Sequence, residues 1–118
     1  MVGKVRITLQ TLQVLQALLD RPADEHYGLK ISENSGLPTG SIYPILTRLE
    51  TAGWVSSDWE DIDESAEGRR RRRYYRLTDP GARLAREEIE QAHNQLSPRA
   101  SRRPDWLPAR SNTGGALA

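Results

Sequence analysis

The chain has 118 residues, a formal net charge of +1 and no cysteine. That length supports one modest core, and the lack of thiols excludes a disulfide scaffold and any thiolate metal site. No apolar run approaches the roughly 20 residues that cross a bilayer, and the first residues lack a signal-peptide pattern, so a cytoplasmic protein without a membrane partner is expected.

Residues 1–7 form a short lead-in. Thr8 is placed to cap a first helix running to about Asp20. Leu12, Leu15 and Leu19 make its main apolar stripe, and Leu9, Val14 and Leu18 widen it. That excess suits a helix touching both its own core and a partner chain. Arg21-Pro22-Ala23-Asp24 is a break, because proline disfavours helix in the residue before it. A second helix fits Tyr27 to Ser35, anchored inward by Ile31 and ended by Gly36, with Leu37-Pro38 as a tight connection.

Thr39 to Gly53, TGSIYPILTRLETAG, then reads as a helix of about four turns. Ile42, Ile45, Leu46 and Leu49 share one face at i, i+3, i+4 and i+7. The opposite face carries Gly40, Pro44, Thr47 and Thr51, flanked by Tyr43 and Arg48. Pro44 lies near the helix start, and Gly53 suits its C-terminal end. Two helices joined by a few residues that include glycine form a helix-turn-helix pattern.

After Gly53 the period becomes two. Trp54, Ser56, Asp58 and Glu60 alternate with Val55, Ser57 and Trp59, which reads as a strand. Residues 61–68 are turn-like, and Arg69 to Leu77, RRRRRYYRL, is a second strand. It puts Tyr75 and Leu77 on one face and Tyr74 and Arg76 on the other. Charge separates sharply here: Asp58 to Glu67 holds six acidic residues and Arg69 to Arg76 six arginines. Thr78 is placed to cap a last helix to about Leu96, with a seam of Ala85, Ile89, Ala92 and Leu96.

The expected fold is mainly α with a small β-hairpin. It is a winged helix-turn-helix over 1–78, a C-terminal dimerisation helix over 79–96 and a disordered basic tail over 97–118. Leu12, Leu15, Ala85, Ile89, Ala92 and Leu96 are the candidate dimer contacts.

A helix-turn-helix sends its second helix into the major groove of double-stranded DNA. Candidate contacts on that helix are Thr39, Gly40, Ser41, Tyr43, Thr47 and Arg48: hydroxyls for phosphate oxygens, a guanidinium for phosphate or guanine, a methyl for thymine. From the wing come Arg70, Arg72 and Arg73. Strand alternation puts Arg69, Arg71 and Arg73 on one side and Arg70 and Arg72 on the other. One set would pair with Asp58, Glu60 and Asp61 while the other faces DNA. The acidic loop of Asp61, Asp63, Glu64 and Glu67 lacks the oxygen spacing and central glycine of a calcium site, so no metal is expected. His26 and His93 read as surface histidines. Trp54 and Trp59 read as core residues at strand ends, with stacking on an aromatic ligand as the alternative. No nucleophile–base pattern, phosphate loop or dinucleotide fingerprint occurs, so neither an enzyme nor a cofactor is expected.

Tyr27-Gly28, then SIYPILTRLE over 41–50, then Gly53-Trp54-Val55, closely resembles the PadR-like family of bacterial transcriptional regulators. Arg72-Arg73-Tyr74-Tyr75-Arg76-Leu77-Thr78 is similar to that family's strand leading into its last helix. The resemblance covers about residues 9–90. It implies a dimeric winged-helix repressor that binds a palindromic operator and responds to a small molecule or to stress. It also implies DNA contacts at Ser41, Tyr43 and Arg48, with Arg72 and Arg73 at the wing. From a different class, a winged helix that docks an acidic protein through its basic wing fits the same elements.

Overall fold

The structure, a computed structural model, describes residues 2–96. The tail at 97–118, expected to be disordered, lies outside the described residues. Among the described residues, five helices and three short strands occur in the order α1 (Leu9–Leu19), β1 (His26–Tyr27), α2 (Gly28–Ser35), α3 (Thr39–Thr51), β2 (Val55–Trp59), α4 (Glu64–Glu67), β3 (Arg73–Leu77) and α5 (Asp79–Leu96). The Thr8 hydroxyl accepts from the Thr11 amide at 3.1 Å and so caps α1.

The helix-turn-helix forms as its glycine spacing suggests. Gly36 ends α2 with φ 77°, and its amide bonds the Ser32 carbonyl. α3 ends in a complete Schellman motif. The Gly53 amide donates to the Glu50 carbonyl at 3.0 Å, and the Trp54 amide reaches back to Leu49 at 2.8 Å. Gly53 holds φ 83°, a conformation that costs glycine nothing.

Two expectations for the sheet need correction. Tyr27 is not the start of α2, which begins at Gly28. With His26 it forms β1, which pairs antiparallel with β3 through His26↔Tyr75 and Tyr27↔Tyr74. The sheet therefore has three strands in the order β1-β3-β2 rather than two. A two-residue strand is too short to leave a period-two signal. The second hairpin strand is also shorter than expected, covering only Arg73–Leu77. Residues 69–72 belong to the connection, where α4 is capped by the Asp63 carboxylate. Alternation therefore does not sort Arg69 to Arg72 into two sides.

Val14, Leu15, Leu18, Ile31, Ile42, Leu46 and Leu49 are fully buried and join Trp54, Val55, Tyr75, Leu77 and Ala85 in one core. Each large aliphatic buried there contributes on the order of 1.5–3 kcal/mol. Leu15 and Ala85, expected at a dimer contact, are wholly enclosed by the chain's own core. His26 is buried rather than on the surface, and its Nε2 donates to the Arg21 carbonyl at 2.9 Å. Trp54 is core as expected, whereas Trp59 is 52% exposed. Thr78 caps α5 by accepting from the Gly81 amide at 3.0 Å. Gly81 itself sits against the Trp54 carbonyl, where an added Cβ would overlap the oxygen. Among the described residues no helix is long and apolar enough to cross a membrane.

Candidate nucleic-acid interface

Burying Ile42, Ile45, Leu46 and Leu49 fixes which way α3 faces. At about 100° per residue, Gly40, Pro44, Thr47 and Thr51 are turned opposite the core, and all four are exposed. An added Cβ at Gly40 would meet nothing within 4 Å. Pro44 falls in the second turn, so the Gly40 carbonyl lacks its usual helical donor. Thr39, Tyr43 and Arg48 are exposed, and Ser41 is half-buried beside them. The expected α3 residues thus share one open surface. Tyr43 is 45% exposed, with its ring lying over Gly28. Any side chain at position 28 would collide with that ring, so Gly28 sets where the Tyr43 hydroxyl stands.

One flank of this surface is the wing. Its base is organised by Glu60. Arg69 Nη1 and Nη2 donate to the two Glu60 carboxylate oxygens at 2.7 and 2.9 Å. The Arg72 amide and the Tyr27 hydroxyl also donate to that carboxylate, at 3.1 and 3.3 Å. The Arg69 hydrogen bonds, aided by that of the Arg72 amide, hold the Glu60 carboxyl at about 2, well below the usual range. Arg72 lies over the Tyr27 ring, its guanidinium carbon 5.6 Å from the centroid. Arg73 donates to Ser57 Oγ at 3.1 and 2.7 Å and stands 3.6 Å from the Glu50 carboxylate. It also lies 5.3 Å over the Trp59 ring. Ser57 donates in turn to Glu50 at the end of α3. Of the acids expected to pair with the arginine run, Glu60 does so, and Glu50 takes the place of Asp58 and Asp61. Arg70 is exposed, with no carboxylate partner among the described residues.

On the other flank runs the lead-in. The Gly3 amide donates to the Ala52 carbonyl at 2.8 Å, and the Trp54 indole donates to the Gly3 carbonyl at 2.8 Å. The Thr11 hydroxyl reaches the Arg6 carbonyl at 3.4 Å. These bonds lay the segment along the second half of α3, where Lys4, Val5 and Arg6 share a groove with Thr47, Arg48 and Thr51. Sequence reasoning missed this flank and the roles of Gly28 and Glu50. The lead-in has too few residues to show a period, and its partners lie about fifty positions away.

Away from this face, α1 and α5 lie side by side. Leu9, Leu12, Ile89, Ala92 and Leu96 line an open apolar groove between them. Leu9 is 67% and Leu96 77% exposed.

Solved structures share this architecture. A PadR family transcription regulator from Clostridium difficile R20291 superposes with a TM-score of 0.54 at 24% identity, over 75% of this chain and 98% of that one. Reduced AbfR bound to DNA gives a TM-score of 0.60 at 25% identity over 78% of this chain. NadR in complex with 4-hydroxyphenylacetate gives 0.56 at 25% over 76%. This chain spans only 60% of the length of the AbfR and NadR chains. No curated protein matches it. The model of the transcriptional regulator PadR-like family matches residues 14–87, from the core of α1 through the first turns of α5, and the chain belongs to that family.

Proposed function

We propose that this chain is a homodimeric, sequence-specific DNA-binding regulator, acting in the cytoplasm as a repressor at a palindromic operator. The observation that carries it is the outer face of α3: small, polar, turned away from the core and flanked on both edges by basic side chains. A face of that kind lets the helix backbone approach a major groove closely. AbfR, with the same architecture, binds DNA. Thr47 and the residues at the start of α3 would read bases, and cations at the edges would hold phosphates.

Dimerisation is read from the α1–α5 groove. Its exposed leucines, with Ile89 and Ala92, are the apolar surface a second copy would cover, after Leu15 and Ala85 are assigned to the core. A two-fold dimer would present two α3 helices about 34 Å apart, matching successive major grooves. A small-molecule effector belongs to the same proposal, supported by NadR, which binds 4-hydroxyphenylacetate. The test is selection of bound sequences from a random duplex library, with light scattering on the same sample. A palindromic consensus bound by a dimer is expected, and a monomer that enriches no sequence would reject the proposal. The second reading is a module that docks an acidic protein through the exposed Arg70 of the wing. That reading predicts no duplex binding even at low salt.

A further inference from the structure

We infer that residues 2–7 form a second phosphate clamp, in which Lys4 and Arg6 grip the DNA backbone on the side of α3 opposite the wing. The clamp rests on the DNA-binding function proposed for α3. Arg48 and Glu50 are two residues apart, so they leave the helix roughly 160° from each other. Glu50 is bonded to the wing through Ser57. Arg48 lines the groove with Lys4 and Arg6. The wing and the lead-in therefore bracket the outer face of α3 from its two edges.

An exposed lysine or arginine near a chain end is ordinarily a solvated charge, but three observations distinguish these two. The segment is anchored, since Gly3 is held through its amide and its carbonyl and the Arg6 carbonyl accepts from Thr11. Lys4 and Arg6 consequently stand at fixed places along α3 and lose less freedom on binding than loose side chains would. The charges are also available. Lys4, Arg6 and Arg48 line one groove that contains no acid, and none of the three is paired with a carboxylate among the described residues. Three like charges around one groove repel each other, and a polyanion relieves that repulsion. Finally, α3 has 13 residues and is about 20 Å long, while the major groove is about 12 Å wide. A helix entering by its first turns carries its last turns out past the groove wall, where the phosphates are and where the lead-in lies.

The test compares the full-length chain with the Lys4→Gln/Arg6→Gln double variant, measuring affinity for the selected operator and for random duplex across salt concentrations. Four phosphates neutralised per dimer would flatten the slope of log affinity against log salt by roughly 3–4 units. Affinity should fall on both DNAs alike, and the melting temperature should hold. Phosphate ethylation interference should lose the sites flanking the major-groove contact. The charge-conserving Lys4→Arg/Arg6→Lys variant should keep the wild-type slope. An unchanged slope and footprint in the Gln variant, while Arg70→Ala still lowers the slope, would overturn the clamp and leave the DNA-binding function standing. Equal losses in the Gln and charge-conserving variants would also overturn it. A wild-type chain that binds no duplex at low salt would remove both.

Discussion

Along the wing side of α3, Arg69 and Arg73 are held by Glu60, Glu50 and Ser57, and Arg72 lies on an aromatic ring. Along the lead-in side, Lys4, Arg6 and Arg48 face a groove with no acid in it. The flank with the arginine run thus carries much of its charge as internal structure. The flank with scattered cations offers its charge to solvent. The difference separates formal charge from available charge. A guanidinium already bonded to a carboxylate must break that bond, or share it, before a phosphate gains from it. Density of arginine in a sequence is then a poor measure of where a polyanion is gripped.

The largest expected effect comes from the residue that anchors the weaker-looking flank. Trp54→Ala should lose about 3–5 kcal/mol of stability in urea unfolding, because it removes a buried indole. Trp54→Phe should lose about 1 kcal/mol, close to the cost of one hydrogen bond. It should nonetheless flatten the salt slope of DNA binding, since Gly3 loses its indole donor while Lys4 and Arg6 remain. A Phe variant with the wild-type slope would show that anchoring is irrelevant to that flank.

Glu60→Ala should lower the melting temperature at pH 7, and the gap to wild type should shrink in acid. The sign follows from the depressed carboxyl. Its folded value of about 2 lies below its ordinary 4.5, so its contribution is complete above 4.5 and is lost as pH falls toward 2. A gap that widens below pH 4 would mean Glu60 does not hold the wing. Gly28→Ala should push the Tyr43 ring aside with little effect on melting, because that ring is half exposed. DNA affinity should drop several-fold, about 1 kcal/mol, for one displaced hydroxyl, and equal affinity would remove Tyr43 from the contact set. The smallest effect separates two neighbours on the wing. Arg70→Ala should reduce the salt slope by about 0.9 per protomer, and Arg73→Ala by much less. Equal reductions would mean Arg73 leaves Glu50 and Ser57 to reach DNA.

The helix-turn-helix and the last helix were legible because their signals are local. Ile42, Ile45, Leu46 and Leu49 announce the inner face of α3 by period, Gly36 and Gly53 mark the ends, and Thr78 marks the start of α5. The outer face of α3 followed by subtraction. What the sequence hid was long-range. β1 has no length over which to alternate, and His26 looks like a surface residue until Tyr75 is set across from it. The residues of the RRRRR run look alike in sequence, yet Arg69 meets Glu60 from the connection after α4, whereas Arg73 meets Ser57 and Glu50 from within β3. Leu15 and Ala85 fit a dimer seam by spacing, but spacing does not distinguish a neighbouring helix of the same chain from one of another copy.

Gly81 carries a mechanical consequence. Because its Cα rests on the Trp54 carbonyl with no space for a methyl group, the start of α5 and the corner between α3 and β2 can only move together. Toward the far end of α5, Leu96 is 77% exposed. With 18 residues, α5 is a rod about 27 Å long, pivoted at one end on the corner that aims α3. In a dimer joined near Leu96, a tilt of about 5° between two such rods would shift one pivot relative to the other by about 2 Å. The spacing of the two α3 helices would then be governed by leverage, with no repacking of either core.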